Sequence, residues 1–323
     1  MAHKSAIKTA QKNQYLQLMH ADWITFLNTQ NLSEQLPVND QATVAPLSHL
    51  GVLSISGKDA ATFLQGQTTC DIKALVDSEP KLGAYCNAKG RTISTFIIIK
   101  LQETYQLILT VDLLDTVRKK LQMYVLRADV QLTDLSEQLC IIGAHNTELA
   151  AQKNLYQYPQ LANSYLFITE PEQAQQYCTE LQTKHSALLV DANTWLNLDI
   201  QAGIPWLYAD TSEKFVPQML NLDKLEAISF TKGCYTGQEI VARTHYLGQN
   251  KRAMYRANCI TKANIDKGCS VFDPEVSEAD LGSVILSAHS NNSTQLLLVL
   301  KDQAMTAKNL QLNNQNHDKI SLV

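Results

Sequence analysis

Apolar side chains recur at helical spacing near the start of the chain and then give way to short strand-like runs. The spacing predicts an opening helix over Tyr15–Leu32, because its apolar residues fall on one face. Leu36–Pro46 has no such pattern and is interpreted as a linker. Strands are then predicted at His49–Ser56, Thr92–Leu101 and Tyr105–Val111.

The first group of elements ends with a helix whose apolar face carries Leu113, Val117 and Leu121, and a second group begins with the strand at Gln138–Ala144. Asp112 is expected to cap this helix. Alternating strands and helices of this size predict two small α+β units. The remaining elements are strands at Gln138–Ala144, Ser164–Thr169 and Ala187–Val190, a helix opened by Pro171, and a helix that runs from an Asp191 cap to Gly203.

Beyond Arg252 the pattern changes to short apolar runs divided by Gly, Asn, Ser and Pro. Such runs are typical of an antiparallel β-barrel or sandwich, here of roughly 70 residues. The predicted strands are Arg252–Ile260, Cys269–Asp273, Leu281–Ala288 and Thr294–Leu300.

Charge and cysteine content narrow the classes of function. The 323 residues carry a net charge of −4, which gives no support for a nucleic-acid-binding surface. The start of the chain has no signal-peptide pattern and runs such as Phe96–Ile99 are too short to cross a bilayer, so we expect a cytoplasmic protein without membrane contact. The seven cysteines are odd in number and none has C-x-x-C spacing, so neither a disulfide framework nor a metal site is expected.

One cysteine lies in a segment with unusual chemistry. A short strand at Ile228–Phe230 and a helix at Gln238–His245 are predicted on either side of the run TKGCYTG. Its two glycines permit a tight turn, and the helix start together with Lys232 would favour the thiolate of Cys234. The alternative is a buried cysteine in an ordinary turn. His245 is a further candidate as a base for the thiol.

The run KGCYTGQEIVAR, at 232–243, closely resembles the signature of the YgfZ folate-binding family. That family is related to the T-protein of the glycine cleavage system, a tetrahydrofolate-dependent aminomethyltransferase. Other segments match in the family's order from about residue 47 to 256, which is most of the chain. They lie at 65–68, 87–91, 195–196, 202–205, 216–218 and 250–252.

The resemblance implies an α+β fold: a T-protein-like ring of two ferredoxin-like α+β units and a C-terminal antiparallel β-barrel around a folate-sized channel. We expect residues 1–46 to form an N-terminal helix and linker and 47–135 the first α+β folate-binding unit. Residues 136–245 would form the second α+β unit, ending in the cysteine signature, and 246–323 the barrel.

The resemblance also implies the site. Cys234 would be the key functional residue with Lys232 beside it, and the cofactor would be tetrahydrofolate or a one-carbon derivative. Trp195 matches a folate-binding tryptophan that can stack on a flat ring, although its place on an apolar helix face also fits a core residue. Gln201, Tyr235 and Arg252 are expected to contact folate as well. Arg252 would pair with the glutamate carboxylates.

Three positions depart from the pattern of the relatives. Gly51 lies near the position of a second folate-linked tryptophan of some family members. Gln201 replaces a glutamate that faces the pterin in T-protein-like sequences, so hydrogen bonding is kept and the charge is lost. Ser94 lies where T-protein has its catalytic aspartate. Glycine-cleavage aminomethyl transfer is therefore not expected of this chain.

The resemblance thus implies a folate-binding accessory protein that supports the assembly or repair of iron–sulfur enzymes, including tRNA-modifying ones, through a reactive cysteine. Its partners would be folate and iron–sulfur proteins or their assembly machinery, with tRNA involved indirectly. The alternatives are a folate-dependent one-carbon transferase acting on tRNA or a small amine, and a redox-sensing interaction protein with a vestigial pocket.

Overall fold

A computed structural model of the chain describes residues 21–30, 32–33, 41–248, 250–261, 263–276, 280–290 and 293–323. The helices are α1 (21–29), α2 (Ala60–Gln65), α3 (Val111–Val125), α4 (Pro171–Lys184), α5 (Ala192–Ala202) and α6 (Gln238–Tyr246). The strands are β1 (Thr43–Pro46), β2 (Leu50–Ser56), β3 (Lys81–Cys86), β4 (Thr92–Leu101), β5 (Thr104–Thr110), β6 (Gln131–Asp134), β7 (Cys140–His145), β8 (Leu155–Gln157), β9 (Ser164–Thr169), β10 (Leu188–Leu189), β11 (Arg252–Cys259), β12 (Ser270–Phe272), β13 (Gly282–Ser290), β14 (Ser293–Lys301), β15 (Gln311–Leu312) and β16 (Ile320–Leu322).

The first sheet is antiparallel throughout, with the strand order β3-β4-β5-β2-β6. Its strand β4 coincides with the predicted strand, and eight consecutive residues of it are buried because both faces of the sheet are covered. Helix α3 begins two residues earlier than predicted, with Thr110 at the N-cap. The cap assigned to Asp112 is therefore wrong. Its carboxylate accepts a hydrogen bond from the backbone N–H of Ala209 at 2.6 Å instead.

The second sheet has the order β10-β1-β7-β9-β8 and draws one strand from the start of the chain. Thr43–Pro46, interpreted as the end of a linker, pairs with β7 antiparallel and with β10 in parallel. The sequence hides this strand because it has four residues and its partners lie about a hundred residues or more away. The earlier part of the predicted linker, 36–40, lies outside the described residues.

Helix α5 follows the second sheet and has the predicted termini. The Asp191 carboxylate accepts the backbone N–H of Thr194 at 2.7 Å, and Gly203 ends the helix in the left-handed region at φ 70°. Asn193 in its first turn donates to the carbonyl of His289 in β13 and accepts from the same residue's N–H at 3.0 Å. This reciprocal pair fastens the second unit to the C-terminal sheet.

The C-terminal sheet has the order β15-β12-β13-β14-β11-β16 and nearly closes into a barrel. A bridge between Gln311 and Lys319 joins its two edge strands, and Ile320 N–H donates to the Leu310 carbonyl at 3.0 Å. Strand β14 alternates between two cores: Leu296, 298 and 300 lie inside the barrel, and Leu297 and Val299 join the core shared with α5. The α+β class with an antiparallel barrel is therefore confirmed.

Helix α1 is the described part of the predicted opening helix; positions 15–20 and 31 lie outside the described residues. Trp23 is buried in a small core on the outer face of the second sheet, together with Phe167 and Leu181, and its ring stacks on Phe26 at 5.6 Å. Within the described ranges, no helix combines the length and apolar character needed to cross a membrane.

Candidate functional site

The segment before the signature is irregular, so the strand predicted at Ile228–Phe230 is wrong. Its backbone bonds to the first unit instead of to a strand: Ser229 N–H donates to the Thr69 carbonyl at 2.9 Å, and the Thr69 hydroxyl donates to the Ala227 carbonyl at 2.7 Å. Three consecutive apolar or small residues gave a strand pattern, but a loop of the first unit takes up these hydrogen bonds.

Lys232 anchors the signature to that same loop. Its ammonium donates to the carbonyls of Thr68 and Cys70, both at 2.7 Å, and lies 5.1 Å from the centre of the Tyr235 ring. The side chain is only 7% exposed, and this burial lowers its pKa to about 8. Its hydrogen bonds point into the first unit, so Lys232 positions the bend. The structure gives no support to its predicted role of favouring the Cys234 thiolate.

The other side of the bend is fastened as well. Thr236 N–H donates to the Gly66 carbonyl at 3.1 Å, and its hydroxyl donates to Gln67 at 3.3 Å. Tyr235 points inward: it is 7% exposed, and burial raises the pKa of its hydroxyl. Tyr235 is therefore part of the packing beneath the bend, and its burial gives no support to the predicted contact with folate.

Cys234 lies on the outer side of this fastened bend. Of the seven cysteines, all of which fall within described residues, Cys234 alone is exposed. Burial raises the pKa of the other six thiols. The thiol that the sequence singled out is therefore the one that a reagent or partner can reach.

The two glycines of the signature have different surroundings. Gly237 caps α6 with φ 83°, and a Cβ there would lie 2.4 Å from the carbonyl oxygen of Asn87. Gly233 has no positive φ, and a Cβ there would meet nothing within 4 Å. The fold requires a glycine at 237, whereas the space beside 233 is open next to the thiol.

His245 is not arranged as a base for the thiol. Its ring stacks on Phe230 with centroids 3.8 Å apart and makes an edge contact with Tyr246 at 4.8 Å. No hydrogen bond joins it to Cys234, although both side chains lie in the described part of the chain. The histidine packs the end of α6 against the segment that precedes the signature.

A cavity of about 800 Å³ lies between the first unit, the segment around 213–219 and the barrel. One wall is the turn 87–91, which joins β3 to β4, and Arg252 at the start of β11 also lines the cavity. The turn is shaped by Asn87, whose side-chain oxygen accepts the N–H groups of Lys89 at 2.9 Å and Arg91 at 3.0 Å. The predicted folate contact Arg252 therefore lines a cavity of ligand size.

Positive charge predominates in this cavity. Lys89, Arg91, Lys214 and Arg252 line it. Of its two carboxylates, Glu213 pairs with Lys120 at 2.8 Å, outside the lining. That hydrogen bond, and a second from Asn87, lower the pKa of Glu213. Since Asp280 is the remaining carboxylate in the lining, the cavity favours an anionic ligand.

Trp195 lies in the core, and the interpretation of it as a ligand residue finds no support. It is 0% exposed, its ring lies edge-on to Tyr158 at 5.3 Å, and a Cβ on Gly143 would come within 2.4 Å of it. An apolar helix face gives the same pattern for a core tryptophan and for one that stacks on a ligand. Here the small residue on β7 makes room for the ring inside the protein.

A buried polar group next to Trp195 was not predicted. Asp199 accepts hydrogen bonds from the Tyr158 hydroxyl at 2.6 Å and from the Trp206 indole at 2.9 Å. Burial raises the pKa of this carboxyl to about 7. The network satisfies the polar ends of two aromatic side chains in the core, and no sequence pattern predicts that Asp199 meets both Tyr158 and Trp206.

The remaining predicted residues lie apart from the large cavity. Gln201 is exposed beside a second cavity of about 300 Å³, where its carbonyl accepts from Arg256 at 3.1 Å. Gly51 is close-packed, since a Cβ there would lie 2.4 Å from the Ser136 hydroxyl. Ser94 is buried and donates to the Thr95 carbonyl at 2.9 Å.

The structure thus brings Cys234, Lys232 and Tyr235 together, while Arg252, Gln201 and Trp195 lie in three other places. Sequence reasoning missed the cavity's charged wall. The sequence feature that could have indicated this wall is the segment at 87–91, which matches the family but was given no role in the site. Within the described ranges, no group of three or more His, Cys, Asp or Glu side chains is placed to hold a metal ion.

Comparison with known proteins agrees with this architecture. Residues 8–149 match the family model described as the GCVT N-terminal domain. The crystal structure of glycine cleavage system aminomethyltransferase T from Bartonella henselae aligns with a TM-score of 0.68, covering 88% of this chain and 85% of that chain at 14% identity. The fold is therefore that of T-protein, as predicted, with an exposed thiol on a fastened bend.

Two curated relatives, each named tRNA-modifying protein YgfZ, define the family. The relative from Colwellia psychrerythraea is 35% identical over 245 residues, which cover 70% of this chain and 75% of the relative. The relative from Yersinia pseudotuberculosis is 35% identical over 232 residues, 66% of this chain and 70% of the relative. The chain belongs to the YgfZ family.

The signature glycines provide a matched pair of substitutions. Gly237→Ala should lower the free energy of unfolding by more than about 2 kcal/mol, because of the positive φ and the clash with Asn87. Gly233→Ala should change it by less than about 1 kcal/mol, because its space is open. Urea unfolding of both variants measures this difference; equal destabilisation would contradict the geometry of the bend.

Proposed function

We propose that this protein is a folate-binding accessory factor that supports iron–sulfur enzymes, including enzymes that modify tRNA, through the thiol of Cys234. The observation that carries the proposal is the placement of the exposed thiol on a bend whose glycine, Gly237, packs directly on a wall of the large cavity. The relatives are named for tRNA modification, and we extend that role to this chain through its client enzymes.

The large cavity fits folate in three respects. Its volume of about 800 Å³ lies within the usual range of small-molecule sites. Met219 offers apolar contact for a flat ring, and Arg252, Lys89 and Arg91 offer partners for the glutamate carboxylates. Bound tetrahydrofolate would supply a carrier of one-carbon units.

The residues of this chain then divide the work. Arg252 and the cations of the turn hold the carboxylate end of folate, while Lys232 keeps the bend against the first unit. The Cys234 thiol is left free to meet a client protein. Ser94 donates its only hydroxyl proton to a backbone carbonyl and supplies no carboxylate, which weighs against aminomethyl transfer of the glycine-cleavage kind.

Cys234→Ser should abolish support of iron–sulfur enzyme activity in cells that lack their own copy of the protein. The free energy of unfolding should stay within about 0.5 kcal/mol of wild type, because the side chain is exposed. Activity of a tRNA-modifying iron–sulfur enzyme in cell extracts is the readout. Cys269→Ser, in a half-buried thiol of the barrel, is the control and should retain support. Full activity with Cys234→Ser would refute the role of the thiol.

Two arginines on the same strand, β11, test where folate binds. Arg252→Ala should weaken tetrahydrofolate binding about tenfold or more, because a charge-assisted hydrogen bond contributes roughly 1.5–3 kcal/mol. Arg256→Ala, beside the smaller cavity, should leave the affinity within about twofold. Isothermal titration calorimetry measures both. Absence of binding to the wild type would refute the folate role and favour a redox-sensing protein with a vestigial pocket.

A further inference from the structure

The turn 87–91 has one face on the large cavity and the other on the cysteine signature. Asn87, Lys89 and Arg91 line the cavity. On the opposite face, a Cβ at Gly90 would lie 2.7 Å from Ile240 of α6. The five-residue turn therefore lies between the cavity and the helix that follows Cys234.

The cavity face of the turn is fastened to the rest of the cavity wall. Asn87 donates from its side-chain amide to Glu213 at 2.7 Å, and Arg91 donates from its guanidinium to the Lys214 carbonyl at 2.8 Å. Thr92 N–H, just after the turn, donates to the Phe215 carbonyl at 2.7 Å. A ligand that engages these cations therefore acts on the turn and on the segment 213–215 together.

The face of the turn that contacts the cysteine signature is close-packed. The Asn87 carbonyl lies against the α-carbon of Gly237, where a methyl group would be only 2.4 Å away, and the Gly90 backbone contacts the same residue. Close-packed contacts transmit small displacements because no void absorbs them. Gly237, three residues after Cys234, caps α6, and Gly233 on the other side of the thiol has open space.

We propose that a folate bound in the large cavity controls how accessible the Cys234 thiol is, and that the turn 87–91 transmits the effect. This inference rests on the proposed function, because it takes folate as the occupant. Carboxylates that bridge the cations of the turn to Arg252 across the cavity hold the turn against Gly237. The bend then samples fewer conformations, and the thiol reacts more slowly. A ligand shifts such an equilibrium only through contacts that differ between the two arrangements, and Lys89 and Arg91 supply them.

The test is the rate of alkylation of Cys234 by iodoacetamide, followed by mass spectrometry of the peptide that contains it. The rate is measured with and without tetrahydrofolate at a concentration that calorimetry on the same sample shows to be saturating. Alkylation should slow about fivefold or more in the wild type, a coupling typical of linked sites. In Asn87→Ala, which loses the bond to Glu213, saturating folate should change the rate less than about twofold.

Two further proteins make the result decisive. Glu213→Ala removes the acceptor of the same bond and replaces Asn87→Ala if that variant fails to fold. A cysteine placed by Gln176→Cys on the exposed face of α4, in a Cys234→Ser background, reports effects unrelated to the turn, and its alkylation rate should not respond to folate.

The outcomes separate this inference from the function on which it rests. Absence of binding in the wild type overturns both. Saturable binding with an unchanged or faster reaction of Cys234 overturns the coupling and leaves the folate role intact. Equal slowing in the wild type and in Asn87→Ala, or slowing of the cysteine at 176, shows shielding without the turn and likewise overturns the coupling.

Discussion

The site depends on one buried ammonium group. Lys232 gives two hydrogen bonds to the carbonyls of Thr68 and Cys70, and burial of a charge is tolerated only where such partners are present. These bonds join a segment late in the chain to the first sheet's unit, more than 160 residues earlier. Because the bend is fastened on both sides, Cys234 is displayed outward while Tyr235 turns inward.

The turn 87–91 lies between the large cavity and the bend that carries the Cys234 thiol. The chain as a whole is acidic, with a net charge of −4, yet four cations meet at the cavity because the first unit, the segment 213–219 and the barrel each contribute to its walls. Asn87 belongs to both places: its side chain faces Glu213, and its carbonyl limits position 237 to glycine. The cavity wall and the bend that carries the thiol are thus in direct packing contact.

Local patterns predicted local structure well. The apolar run of β4 and the Asp191 and Gly203 ends of α5 were predicted correctly, because periodicity and capping depend on residues close in sequence. Contacts between residues distant in sequence could not be predicted from local patterns. For this reason β1 was interpreted as part of a linker, and Lys232 was expected to act on the thiol instead of on carbonyls of the first unit. The signature motif identified Cys234, but only the packing around Trp195 shows that this ring belongs to the core.

Hydrogen–deuterium exchange on Lys232→Met tests the central claim most directly. Loss of the ammonium should speed exchange of the Ser229 and Thr236 amides about tenfold or more, because their acceptors lie in the loop that Lys232 holds. The amides of β4 should keep the protection that they have in the wild type. Unchanged exchange at Ser229 and Thr236 in Lys232→Met would contradict the account, since the bend would then be held by something other than this ammonium.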